Sequence, residues 1–102
     1  MPATDLRRSV KDSLESLLGD LDGDERNVLL TLARMVVTLD TAEIVSKDEA
    51  ARRVLPSLNR RGRSAMTLAL RGYLGEVQDR WSNHRIEVEE TASILATRIR
   101  AA

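Results

Sequence analysis

Apolar residues along this chain recur at spacings of three and four, the period of one helix face. Nowhere do they alternate at the period of two expected of a half-buried strand. The pattern predicts a first helix capped by Thr4 or Asp5, with Leu6, Val10, Leu14, Leu17 and Leu18 on one face and Gly19 at its end. A short acidic loop, Asp20-Leu21-Asp22-Gly23, leads to Asp24 as the N-cap of a second helix. Leu39 to Val45 reads as a connection. Ser46-Lys47-Asp48-Glu49 has the spacing of a capping box and opens a third helix through Ala50, Ala51, Val54 and Leu55, which Pro56 ends or bends. Asn59-Arg60-Arg61-Gly62-Arg63 reads as a basic loop. It precedes a fourth helix bearing Met66, Leu70, Tyr73 and Leu74, with Gly75 past its end. The fifth and longest helix is placed over Val77, Trp81, His84, Val88, Thr91, Leu95 and Ile99, spaced by four and three. The fold class expected is all-α, a single-domain bundle of about five helices over residues 1–102.

The second helix, Asp24–Leu39, is apolar almost all round yet carries one polar stripe. Asp24, Asn27, Thr31, Arg34 and Thr38 share a face and fall within an arc of roughly 80° at the turn of an α-helix. A helix so apolar should be buried, and a buried arginine needs a partner. No carboxylate stands three or four residues from Arg34, so the helix itself supplies none. Either another segment pairs with it, or the stripe lines a cleft that receives a ligand. Lys47 is suggestive for a related reason: it sits in the first turn of a helix, where the dipole disfavours a cation. Beside the free N–H groups of that turn it would complete a phosphate site; a solvated lysine is the plain alternative.

Composition changes the picture mainly by exclusion. Sixteen basic and sixteen acidic residues cancel, which gives no global pull toward nucleic acid or an anionic membrane. Zero cysteines rule out disulfides, thiol catalysis and cysteine-ligated zinc, and fit a reducing compartment. No run approaches the length of a membrane span, and MPATDLRRS lacks the apolar core of a signal peptide. Tyr73 and Trp81 are the only aromatics, so an aliphatic core is expected. His84 has no metal partners at ligand spacing and reads as structural, as does Trp81.

Three blocks, GDERNVLLTLAR (Gly23–Arg34), AEIVSKDEAA (Ala42–Ala51) and RGYLGE (Arg71–Glu76), resemble the C-terminal helical domain of aminoglycoside (3'')(9) adenylyltransferases. These are the streptomycin and spectinomycin nucleotidyltransferases of resistant bacteria. The resemblance implies a two-domain enzyme with its active site between the domains, acting in the cytoplasm with ATP and Mg2+. Residue by residue, it implies that Arg34, Lys47 and Tyr73 contact ATP. Asp20 and Asp24 would meet the cationic antibiotic, with Asn27 on the same substrate side. The sequence departs from the family pattern at Val36 and Val37, where an aromatic pair is common, at Ala42, where glycine is usual, and at Pro56, earlier than the family's proline.

The N-terminal nucleotidyltransferase domain, with its Gly-Ser turn and paired carboxylates on a strand, is absent from these residues. The expectation is therefore a fragment, a truncated gene or a stand-alone domain that is not catalytic alone. Its exposed domain face would be open to the missing domain, to a separate catalytic subunit or to self-association. Asp20-Leu21-Asp22 has the letters of a magnesium pair but lacks the strand and turn. A rival reading takes Arg52, Arg53, Arg60, Arg61 and Arg63 as a basic patch on a helix-turn-helix. Zero net charge and a long connecting loop argue against it, so neither nucleic acid nor membrane is expected as a partner. A helical RNase is also disfavoured, because Arg80 and His84 stand too close for that motif.

Overall fold

The computed structural model describes residues 3–102, with the side chains of residues 3–7, 9 and 11 outside the description. Its elements are helices α1 (Ala3–Gly19), α2 (Glu25–Thr41), α3 (Lys47–Val54), α4 (Arg60–Tyr73) and α5 (Arg85–Ala101). A 3-10 turn, Leu55–Ser57, links α3 to α4. No strand occurs among the described residues, and the all-α bundle of five helices stands as expected.

The apolar wrap of α2 places it at the centre, where it touches each of the other four helices. Val28, Leu29, Leu30, Leu32, Ala33, Val36 and Val37 are buried on its several sides. Ala50 and Ala51 of α3 and Ala65 and Ala69 of α4 are wholly enclosed, small residues that let neighbouring helices approach closely. From α5 come Val88, Ala92, Leu95, Ala96 and Ile99. Among the described residues Thr91 is the one polar residue buried with them, and its hydroxyl donates to the Glu87 carbonyl at 2.7 Å, which offsets the desolvation cost. Both aromatics stay out of the fully buried core: Tyr73 is 46% exposed, and Trp81 packs against the core from the segment before α5.

Several boundaries move from their expected places, each for a local reason. The helix α1 already begins at Ala3, and the cap expected of Thr4 or Asp5, like the packing of Leu6, lies outside the described side chains. At the other end of α2 the helix runs through Leu39 and Asp40 to Thr41, where a connection was expected. There the Thr41 hydroxyl donates to the Val37 carbonyl at 2.8 Å and accepts from the Glu43 N–H, extending the last turn. The basic stretch Arg60–Arg63 is not a loop but the first turn of α4, because the Asn59 side chain caps it by accepting from the Gly62 N–H at 2.8 Å. Val77 to Asn83 are not helical. Gly75, at φ +77°, closes α4 in a conformation few other residues tolerate, and α5 starts only at Arg85. The periodicity misled because Trp81 reaches the core from a loop at a position a helix would also have used.

Ser46 caps α3 as expected, its hydroxyl accepting from the Glu49 N–H at 3.3 Å, but the Glu49 carboxylate turns to Arg53 rather than completing the box. Ala42 ends α2 at φ 60° and ψ 15°, the left-handed region, and donates its N–H to Thr38 O at 2.8 Å. An alanine there carries strain that glycine lacks, which explains why glycine suits this position. Ala42→Gly is expected to raise stability by about 0.5–1 kcal/mol, net of glycine's extra unfolded-state entropy. A urea midpoint that falls in this variant would count against the strain.

Candidate functional site

Each side chain of the site is placed by a helix end. Arg26, Asn27 and Leu30 come from the first turns of α2, Lys47 is the first residue of α3, and Tyr73 is the last of α4. Together they line a shallow pocket of about 210 Å³. Of the six residues singled out from sequence, three meet there: Asn27, Lys47 and Tyr73.

Asn27 holds the centre. Its amide oxygen accepts from Lys47 Nζ at 2.6 Å, and its amide nitrogen donates to Asp24 Oδ2 at 3.2 Å. One neutral side chain thus bridges a cation and a carboxylate. An ammonium has three N–H donors, and among the described residues only Asn27 takes one. Lys47 therefore keeps its positive charge uncompensated by any carboxylate within ion-pair distance. The ammonium is held against Asn27 at the wall of the pocket. The start of α3 is already served by the Ser46 hydroxyl and by Asp48 and Glu49 in the first turn. The Ser46 hydroxyl and Arg52 hold the Asp48 carboxyl below its ordinary range, so it stays ionised there. A phosphate seated on the α3 N-terminus itself would meet these acids. A phosphate seated in the pocket would meet Lys47.

Asp24 takes the N-cap position of α2, but its side chain makes no capping bond. The carboxylate is exposed and bonded only to Asn27 among the described residues. Asp20 lies in the exposed turn before α2, apart from the pocket wall. Arg34, two helical turns beyond Asn27, does not line the pocket. It is only partly buried rather than enclosed, and among the described residues it has neither a hydrogen bond nor an ion pair. The carboxylate partner from another helix does not materialise, and the cation of the stripe remains open. The exposure of Tyr73 likewise removes the core role that a lone tyrosine would ordinarily have.

Arg26 is the pocket residue that sequence reading missed. Its guanidinium donates from Nη1 to the Gly72 carbonyl at 2.9 Å and to Asp79 Oδ1 at 3.2 Å. The available signal was the one that drew attention to Lys47, a cation in the first turn of a helix.

Two roomier hollows, of about 360 and 460 Å³, lie by the turn before α5 and along the outer face of α4. His84 borders both, and neither contains a residue of the stripe. His84 Nδ1 is 3.2 Å from Glu87 Oε2, and its ring meets Trp81 edge to face at 6.4 Å. Among the described residues no group of three or more histidine, cysteine, aspartate or glutamate side chains comes together as a metal site. Much of the basic patch is neutralised. Arg52 pairs with Asp48, Arg53 with Glu43 and Glu49, and Arg61 with Glu90, while Arg60 and Arg63 keep no partner among the described residues. No helix among the described residues is long and apolar enough to cross a membrane.

Comparison with known proteins bears on what this pocket belongs to. The family model described as the aminoglycoside adenylyltransferase C-terminal domain matches residues 1–98. The spectinomycin 9-adenylyltransferase of Staphylococcus aureus is 49% identical over 81 residues, which are 79% of this chain and 31% of that protein. The aminoglycoside (3'')(9) adenylyltransferase of Escherichia coli is 33% identical over 92 residues, covering 88% and 35%. A crystal structure of the spectinomycin adenyltransferase of Enterococcus faecalis, with ATP and spectinomycin, superposes with a TM-score of 0.90 at 39% identity. The match covers 98% of this chain and 39% of that one. The chain thus spans about a third of the length of the curated relatives it matches. On the family match and the shared fold together, the chain belongs to the aminoglycoside adenylyltransferase C-terminal domain family.

Proposed function

We propose that this domain forms the nucleotide- and drug-binding wall of an adenylyltransferase that moves AMP from ATP to a hydroxyl of spectinomycin or streptomycin. The observation that carries the reading is the uncompensated Lys47 ammonium, held by a neutral amide in a pocket shared with Tyr73. A cation left without a carboxylate is poised for an anion, and a triphosphate supplies one. The Asp24 carboxylate, joined to Lys47 through Asn27, offers the opposite charge to an ammonium of the drug. Asn27 would then set the two ligands side by side rather than serve the drug alone. Arg34 supplies a second cation along the same stripe, and Asp20 a second carboxylate at the drug end. Spectinomycin is the favoured substrate, because the relatives named spectinomycin 9-adenylyltransferase share more of this sequence than the one named aminoglycoside (3'')(9) adenylyltransferase does. Magnesium, whose chemistry is to neutralise phosphate charge, belongs with carboxylates of a nucleotidyltransferase domain. Ile44, Leu74 and Ile86 are further exposed apolar side chains.

The test uses this chain fused to the nucleotidyltransferase domain of the Staphylococcus aureus relative. Lys47→Ala is expected to raise the KM for ATP ten- to a hundredfold, the worth of a charge-assisted bond of about 1.5–3 kcal/mol. The thermal midpoint should stay within a few degrees, since the ammonium is only partly buried. Arg34→Ala should weaken ATP use as well, with a larger loss of stability from its packed stem. A variant that unfolds the domain yet leaves ATP kinetics intact would make that residue structural.

A further inference from the structure

We propose that Asp79, which lies outside the pocket wall, is a positioning residue for the nucleotide pocket. It acts through Arg26 and the last turn of α4; the proposal rests on reading that pocket as the nucleotide site. Asp79 stands in the irregular segment between α4 and α5, and its side chain is only 15% exposed. Oδ1 accepts from Arg26 Nη1 at 3.2 Å, and Oδ2 accepts from the Trp81 indole N–H at 2.8 Å. The same Arg26 nitrogen donates to the Gly72 carbonyl at 2.9 Å. One carboxylate thereby ties together the start of α2, the end of α4 and the segment leading to α5.

The fit at Gly72 shows how close this packing is. A Cβ on Gly72 would fall 2.6 Å from Asp79 Cγ and Oδ1, so the missing side chain is the space that Asp79 occupies. The residue after Gly72 is Tyr73, and the residue after Arg26 is Asn27. The clamp thus fixes, relative to one another, three of the five residues that line the pocket. Its sign is informative. A carboxylate beside a triphosphate site repels the ligand by simple Coulomb interaction, so its charge alone works against ATP. Positioning predicts the opposite: removing Asp79 should weaken ATP binding.

In the fused enzyme, Asp79→Asn is expected to raise the KM for ATP about tenfold with kcat within threefold of the parent. Asp79→Ala, which loses both acceptors, should do more, with the conservative asparagine variant between it and the parent. Gly72→Ala changes no charge but pushes Asp79 away, and should reproduce the same KM effect. The double variant should fall short of the product of the two single effects, because both break one contact. In the fused enzyme, the Tyr73 ring, which lines the pocket with Lys47 and Leu30, should lose the nuclear Overhauser contacts it makes in the parent in both variants.

Three outcomes overturn the proposal: tighter ATP binding in Asp79→Asn, a lowered thermal midpoint with unchanged KM, or Tyr73 contacts that persist in both variants. Lys47→Ala separates the levels. If it leaves the KM for ATP unchanged, the pocket is not the nucleotide site and the functional reading fails. The Tyr73 contacts still decide whether the clamp exists.

Discussion

Mixed with ATP, magnesium and spectinomycin or streptomycin, the 102-residue chain is expected to release no pyrophosphate above buffer. Fused to a nucleotidyltransferase domain, or supplied with one in trans, it should support transfer. The reason lies in what the described residues lack. Displacement at the α-phosphorus needs metal-held phosphates and a base near the attacking hydroxyl. Asp20 and Asp22 stand exposed in a turn, where Asp22 meets Arg85 at 3.7 Å, and no third ligand joins them. Enzymes of ordinary power gain at least about a millionfold over the uncatalysed rate, and on the proposed reading that gain comes from groups of the nucleotidyltransferase domain. The contrast between chain and fusion should therefore be all or none in a pyrophosphate assay. Robust turnover by the chain alone would overturn the two-domain reading.

The helices were legible wherever periodicity and capping agreed. The Ser46 cap of α3 and the glycine just past α4, Gly75, were both set by local chemistry, and both are found where the sequence puts them. Periodicity failed where a loop residue reached the core. Trp81 fell in step with Val88 and Leu95, yet it is placed by the Asp79 carboxylate rather than by a helical hydrogen bond. The basic run at Arg60–Arg63 looked like a loop because three arginines at a helix N-terminus oppose the dipole; the Asn59 cap and the Glu90–Arg61 pair offset that cost. In the site, the stripe on α2 was visible from spacing alone. The partners around it come from afar, Lys47 at a sequence separation of 20 from Asn27 and Gly72 at 46 from Arg26, which no local pattern reports. Arg26 carried the same signal as Lys47, a cation in the first turn of a helix, but its partner Asp79 lies 53 residues away and nothing in the sequence singled that residue out.

The carboxylate of Asp24 separates drug binding from DNA binding, and its geometry makes the experiment clean. The side chain makes no capping bond to α2, and asparagine suits an N-cap about as well as aspartate. Asp24→Asn should therefore leave the thermal midpoint within a few degrees, and fold loss will not confuse the result. If Asp24 receives an ammonium of the drug, losing the charge should cost about 1.5–3 kcal/mol, or roughly ten- to a hundredfold in affinity. Asp20→Asn should act in the same direction. ATP binding should change less in either variant, since Asp24 reaches Lys47 only through the neutral amide of Asn27. Calorimetric titration of the fused enzyme with spectinomycin and with ATP measures both. The DNA reading predicts the reverse. Each lost carboxylate should strengthen duplex binding, with a steep salt dependence carried by the two unpaired arginines, Arg60 and Arg63. Three other arginines of that patch already hold carboxylate partners, which leaves little charge to neutralise phosphates. Salt-sensitive DNA binding, with spectinomycin affinity untouched by either substitution, would decide for nucleic acid.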